Sequence, residues 1–135
     1  YQIVLVGTDD EIDKNLPQNI ISIHRTQNQK ELAEIYSAAD VFAMPTREEN
    51  YPTVNMEAIA CGTPVVTFDV GGCAETIDTS TGIIVSVNEI DKLIEAIKVI
   101  CRERIDPEVC KKRAKNHSQD LKYIEYLELY LKVIS

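Results

Sequence analysis

Short apolar runs rich in β-branched residues recur along the chain: YQIVLVG at residues 1–7, Ile20 to His24, Val41 to Met44, PVVTF at 64–68 and IIVSV at 83–87. Each is mostly apolar rather than alternating, the pattern of a strand covered on both faces. The segments between several of them carry helical spacing. Asn28 and Glu31 stand as a capping box does, and Leu32, Ile35, Tyr36 and Ala39 follow at i, i+3, i+4 and i+7. Pro52 is placed to open a helix that runs through Cys61 and stops at Gly62. Cys73 to Ile77 offers one or two helical turns, and Asn88 and Asp91 start a helix with an expected apolar stripe of Ile90, Leu93, Ile94, Ile97 and Cys101. Asp106-Pro107 starts another helix reaching about Asn116, and Gln119 to the end reads as a last helix, apolar over a wide arc. Strands alternating with helices in this way predict an α/β chain, a doubly wound parallel sheet with C-terminal helices.

The 135 residues suit one domain over 1–135, and no apolar run approaches the ~20 residues of a bilayer span. A net charge of −8 opposes a nucleic-acid partner, because affinity for a phosphate backbone is built from clustered Lys and Arg. Any phosphate ligand has to be held by local geometry instead. Cys61, Cys73, Cys101 and Cys110 lack CxxC spacing, and His24 and His117 lie far apart in sequence, so reduced structural cysteines in a cytoplasmic protein are expected and no metal site.

Ligands of doubly wound sheets bind at the carboxyl ends of the strands, here the loops Gly7 to Asp10, His24 to Asn28, Pro45 to Tyr51 and Asp69 to Cys73. A helix starting near Pro52 offers free amides and a partial positive charge to an anion such as a diphosphate. Glu49 lies just before that start and Glu57 in its second turn. Carboxylates beside a diphosphate repel it, so they make sense only if directed at neutral ends, accepting hydrogen bonds from sugar and ribose hydroxyls. Val54, Met56, Ala58, Ile59, Ala60 and Cys61 leave little polar arc around Glu57, which is therefore expected in the wall of the crevice. A solvated loop pair and an exposed helix position remain the competing reading of these glutamates.

The run YSAADVFAMPTREENYPTVNMEAIACGTPVVTFDVGGCAETI resembles the donor-binding region of the retaining glycosyltransferase family 4, of GT-B fold, group 1. The resemblance rests on Pro45-Thr46, Glu49 and Glu57, Ala58 to Val66, Gly71-Gly72 and Glu75 in that order. It implies a Rossmann-like half of a GT-B fold, a nucleoside-diphosphate-sugar substrate, no metal or other cofactor, and transfer to an unidentified acceptor with retained anomeric configuration. It further implies a catalytic position for Glu49 near the transferred sugar's hydroxyls and contact of Glu57 with the ribose. Donor contacts are implied from the backbone of Asn50, Tyr51 and Thr53, from Thr26 and Gln27 beside the base, and from Gly72. Asn50-Tyr51-Pro52 replaces the family's usual Gly-Phe-Gly-like run, and the helix after the first strand is shortened to Asp9–Leu16. The family's diphosphate-binding Arg and Lys fall upstream of Tyr1, as does the acceptor-binding domain. The expectation is thus a truncated donor domain, inactive by itself, of a hexosyltransferase whose full form can sit peripherally on a membrane. A sugar-nucleotide epimerase domain and a non-catalytic nucleotide-binding module are the alternatives.

Overall fold

The computed structural model describes residues 1–134, which form two compact units, Tyr1–Glu34 and the remainder from Ile35 onward. In the first unit, β1 (Ile3–Val6) pairs in parallel with β2 (Ile20–Ile23), in register Ile3 with Ile20 through Val6 with Ile23. Helix α1 (Asp10–Asp13) joins them. Asp9 caps it, its carboxylate accepting from the amides of Glu11 and Ile12. The helix is shorter than the predicted Asp9–Leu16: Asn15 and Leu16 turn back through i→i−3 bonds to Ile12 and Asp13, ahead of Pro17. The Asn28–Glu31 spacing is used at the start of α2 (Gln29–Ala38): the Glu31 amide donates to Asn28 Oδ1, while the Glu31 carboxylate accepts the Gln27 amide, one residue before the cap.

The second unit holds the core. Its sheet runs β3-β4-β5, with β3 (Phe42–Met44) and β5 (Gly82–Val85) both parallel to the central β4 (Val65–Phe68). All four residues of β4 are buried, as its unbroken apolar sequence requires of a strand covered on both faces. Val66, Phe68 and Val85 of the sheet pack with Leu93, Ala96 and Ile100 of α5 (Ile90–Glu103). The expected stripe of α5 is therefore rotated: Ala96 and Ile100 replace Ile90 and Ile94, which are exposed, because i, i+3, i+7 spacing from Leu93 selects them.

Between β3 and β4 lies α3 (Thr53–Ala60), with Pro52 at its N-cap and Gly62, at φ +88°, past its end. Helix α4 (Cys73–Thr76) precedes β5. Helix α6 (Pro107–Ala114), capped by Asp106, packs on the C-terminal end of α3, where a Cβ on Gly62 would lie 2.9 Å from Pro107 Cβ. A 3₁₀ turn (Lys115–His117) leads to α7 (Gln119–Ile134), none of whose residues is buried. Among the described residues, no helix is long and apolar enough to cross a membrane.

Candidate functional site

Within the second unit, the carboxyl ends of β3 and β4 bring two loops together through backbone contacts. Gly72 donates its amide to the Asn50 carbonyl at 2.7 Å. A Cβ on Gly72 would lie 2.6 Å from Tyr51 Cδ2 and 2.7 Å from the Asn50 carbonyl oxygen. At Gly71, φ is +51° and a Cβ would come within 1.8 Å of the Glu49 carbonyl oxygen. Only glycine permits this approach at both positions. The need for Gly72 is thus met by the neighbouring loop, and its amide is already used there.

Glu49 is half-buried, and its Oε1 accepts the Asn50 amide at 2.8 Å. The expected role of the Asn50 amide as a ligand donor is therefore taken up internally. Thr46 Oγ1 donates to the Glu48 carbonyl at 2.8 Å and closes the front of the same loop. The start of α3 remains open: no side chain caps it, and the Asn55 amide returns to the Pro52 carbonyl. Among the described residues the amides of Tyr51, Thr53 and Val54 have no acceptor, which leaves three donors at the positive end of a helix dipole.

Glu57 departs from its expected surroundings. Its side chain is exposed, whereas Asn55, Ala58 and Ile59 form the buried face of α3. At 3.6 residues per turn, residue 57 points about 200° away from residue 55, so the apolar neighbours did not enclose it. The fully buried polar side chain of the helix is Asn55, whose Nδ2 donates to Thr76 Oγ1 of α4 at 3.1 Å, while its Oδ1 has no partner among the described residues. Glu57 has a neighbour that periodicity did not reveal: the Tyr36 hydroxyl of α2 donates to its Oε2 at 3.5 Å. Burial, and then the charge of Glu57, push the Tyr36 phenol up to about 12.

Thr26 and Gln27 belong to the first unit. Thr26 is half-buried, Gln27 is exposed, and the Gln27 amide is occupied by Glu31. Just before them, His24 Nε2 lies 2.6 Å from Asp13 Oδ2 and 3.9 Å from Asp10 Oδ1. The bond to Asp13 holds the imidazole above its ordinary pKa, and bonds from Ser22 and then His24 hold the Asp13 carboxyl below its own. The ligand atoms of Asp10, Asp13 and His24 lie within 4.8 Å of one another. The grouping comes from the β1-β2 pairing, to which sequence spacing is blind.

Residues 2–117 match the family described as glycosyl transferases group 1. The chain belongs to that family. Over 109 residues, 71% of the chain, it is 33% identical to a GDP-mannose-dependent monoacylated alpha-(1-6)-phosphatidylinositol monomannoside mannosyltransferase of Corynebacterium glutamicum. It is 35% identical over 97 residues to a D-inositol 3-phosphate glycosyltransferase of Saccharomonospora viridis, covering 69% of the chain. The group 1 chain spans 28% and 22% of the lengths of these two relatives. Among solved structures, sucrose-phosphate synthase from Thermosynechococcus elongatus superposes over 98% of the chain and 38% of its own, with TM-score 0.82 and 27% identity. A lipopolysaccharide outer core galactosyltransferase in apo form covers 97% of the chain and 40% of its own, with TM-score 0.84; at 12% identity it speaks for the fold alone. The group 1 fold is thus the Rossmann-like α/β architecture of GT-B glycosyltransferases, as the resemblance implied.

Proposed function

We propose that this chain is the nucleoside-diphosphate-sugar-binding part of a retaining, family 4 hexosyltransferase. The observation that carries the reading is the clamp of Gly71-Gly72 against Glu49–Tyr51, which sets the Glu49 carboxylate beside the uncapped start of α3. The amides of Tyr51, Thr53 and Val54 receive the diphosphate and stabilise the charge that grows on it as the glycosidic bond breaks, a task a helix N-terminus performs without a metal. Glu49 accepts hydrogen bonds from the hydroxyls of the transferred sugar, and Glu57 from those of the ribose. Gly72 acts by holding Asn50 in place. The GDP-mannose dependence in the name of the Corynebacterium glutamicum relative supports a nucleotide-linked hexose as donor. The acceptor is unidentified and is held by a further domain, while the basic groups that offset the diphosphate charge belong to an earlier part of the donor domain. Cytoplasmic location, with peripheral contact to a membrane where the acceptor is a lipid, is part of the same proposal.

Calorimetric titration with a panel of nucleotide sugars and their bare nucleoside diphosphates tests the reading. At least one sugar nucleotide is expected to bind more tightly than its diphosphate. Binding of no nucleotide, or equal binding of every pair, would overturn it.

A further inference from the structure

We propose that Tyr36 is a positioning residue for the nucleoside end of this site: its hydroxyl holds one oxygen of the Glu57 carboxylate and leaves the other for the ribose diol. The inference rests on the assignment of Glu57 to the ribose.

Tyr36 is itself held from three directions. It is only 8% exposed, its ring meets Phe42 edge-on with centroids 5.4 Å apart at 84°, and its backbone carbonyl accepts the Thr63 hydroxyl. A phenylalanine would satisfy the ring contact, so the hydroxyl is the part that calls for another explanation. Its acceptor is Glu57 Oε2. Glu57 is exposed, and its Oε1 accepts nothing among the described residues. An untethered glutamate loses rotamer freedom when it meets a ligand; one restrained from below by a rigid donor loses less. The phenol remains a donor across the neutral range, since its ionisation is displaced to about 12. Cys61, one turn beyond Glu57, is likewise raised, by burial first and by Glu57 among the lesser causes.

The test compares ADP, GDP and UDP with their 2′-deoxy counterparts on the intact protein and on Glu57→Gln, Tyr36→Phe and the double variant. The wild type is expected to prefer a ribonucleotide, and Glu57→Gln to lose that preference. Tyr36→Phe is expected to reduce the preference about three- to tenfold, the size of one modest hydrogen bond, and the double variant to lose no more than Glu57→Gln alone. A structural role alone would lower the melting temperature and leave the ribose preference intact. Full preference in Tyr36→Phe, with loss in Glu57→Gln, overturns the role of Tyr36 and spares that of Glu57. Full preference in Glu57→Gln, or none in the wild type, overturns the assignment of Glu57. If Tyr36→Phe does not fold, the tyrosine ¹³Cζ resonance of residue 36 decides: it must shift as carboxylates titrate and stop doing so in Glu57→Gln. A resonance indifferent to Glu57 refutes the proposal.

Discussion

Replacing Gly71 by alanine perturbs the clamp with one methyl group. Two costs arise from the structure. At φ +51° an alanine carries the strain of the left-handed region, about 1–2 kcal/mol. Its Cβ would also stand 1.8 Å from the Glu49 carbonyl oxygen, a backbone atom that cannot rotate aside, so the two loops must part by about 1.2 Å or more to reach even a tight contact. That movement breaks the 2.7 Å bond from the Gly72 amide to Asn50, about another 0.5–1.5 kcal/mol. The expected loss of stability is therefore about 1.5–3.5 kcal/mol, read as a shift of the urea midpoint at constant slope. Gly7→Ala is the control: its φ is +89°, yet nothing lies within 4 Å of its Cβ, so it carries the backbone strain alone, about 1–2 kcal/mol. Because the displaced loop carries Glu49, sugar-nucleotide turnover by the intact protein should fall on the order of a hundredfold in Gly71→Ala, as misplacements near 1 Å do. Equal destabilisation by the two substitutions, with turnover unchanged in Gly71→Ala, would refute the clamp.

Glu57→Gln should weaken nucleotide and sugar-nucleotide binding alike by about 1–3 kcal/mol, while Glu49→Gln should reduce the preference for sugar nucleotide over bare diphosphate; calorimetry showing the two variants alike would undo the division of labour. The His24–Asp13 pair gives a pH dependence with two limits. The raised histidine contributes stability in full below its unfolded value near 6.5 and loses it as pH rises through the folded value; the lowered Asp13 contributes above its unfolded value near 3.8 and loses it as pH falls through the folded one. NMR titration should place the His24 midpoint above 6.5 and return it toward that value in Asp13→Asn, and an unmoved midpoint would deny the pair any influence. Amide exchange should be slowest in β4, buried at every residue, and fast in β1 and β2, because a two-stranded parallel ribbon is marginal in water; equal protection would contradict this. The exposed apolar side chains of α7, Leu127, Tyr130 and Leu131 among them, should make the isolated chain self-associate in sedimentation velocity, and Leu127→Glu with Leu131→Glu should suppress it.

Strand and helix identity, the Asn28–Glu31 spacing, the Pro52 start of α3 and the fully buried β4 were legible in the amino-acid order, because each depends on neighbours within one turn or one strand. The glutamates, the loop between them and the Gly71-Gly72 turn were legible as a motif, since their order along the chain is itself the signal. What the order could not convey was which face each side chain takes and what meets it from elsewhere. Glu57 reads as enclosed when its neighbours are counted along the chain, yet a helix buries by angle, and Asn55 rather than Glu57 faces inward. Tyr36 beside Glu57, Gly71 against Glu49 and His24 against Asp13 are contacts between residues 21, 22 and 11 positions apart, made by strand pairing and by helices packed on a sheet. Propensity and periodicity are local quantities; distances of that kind exist only once the chain has closed on itself, and the tertiary structure alone decides them.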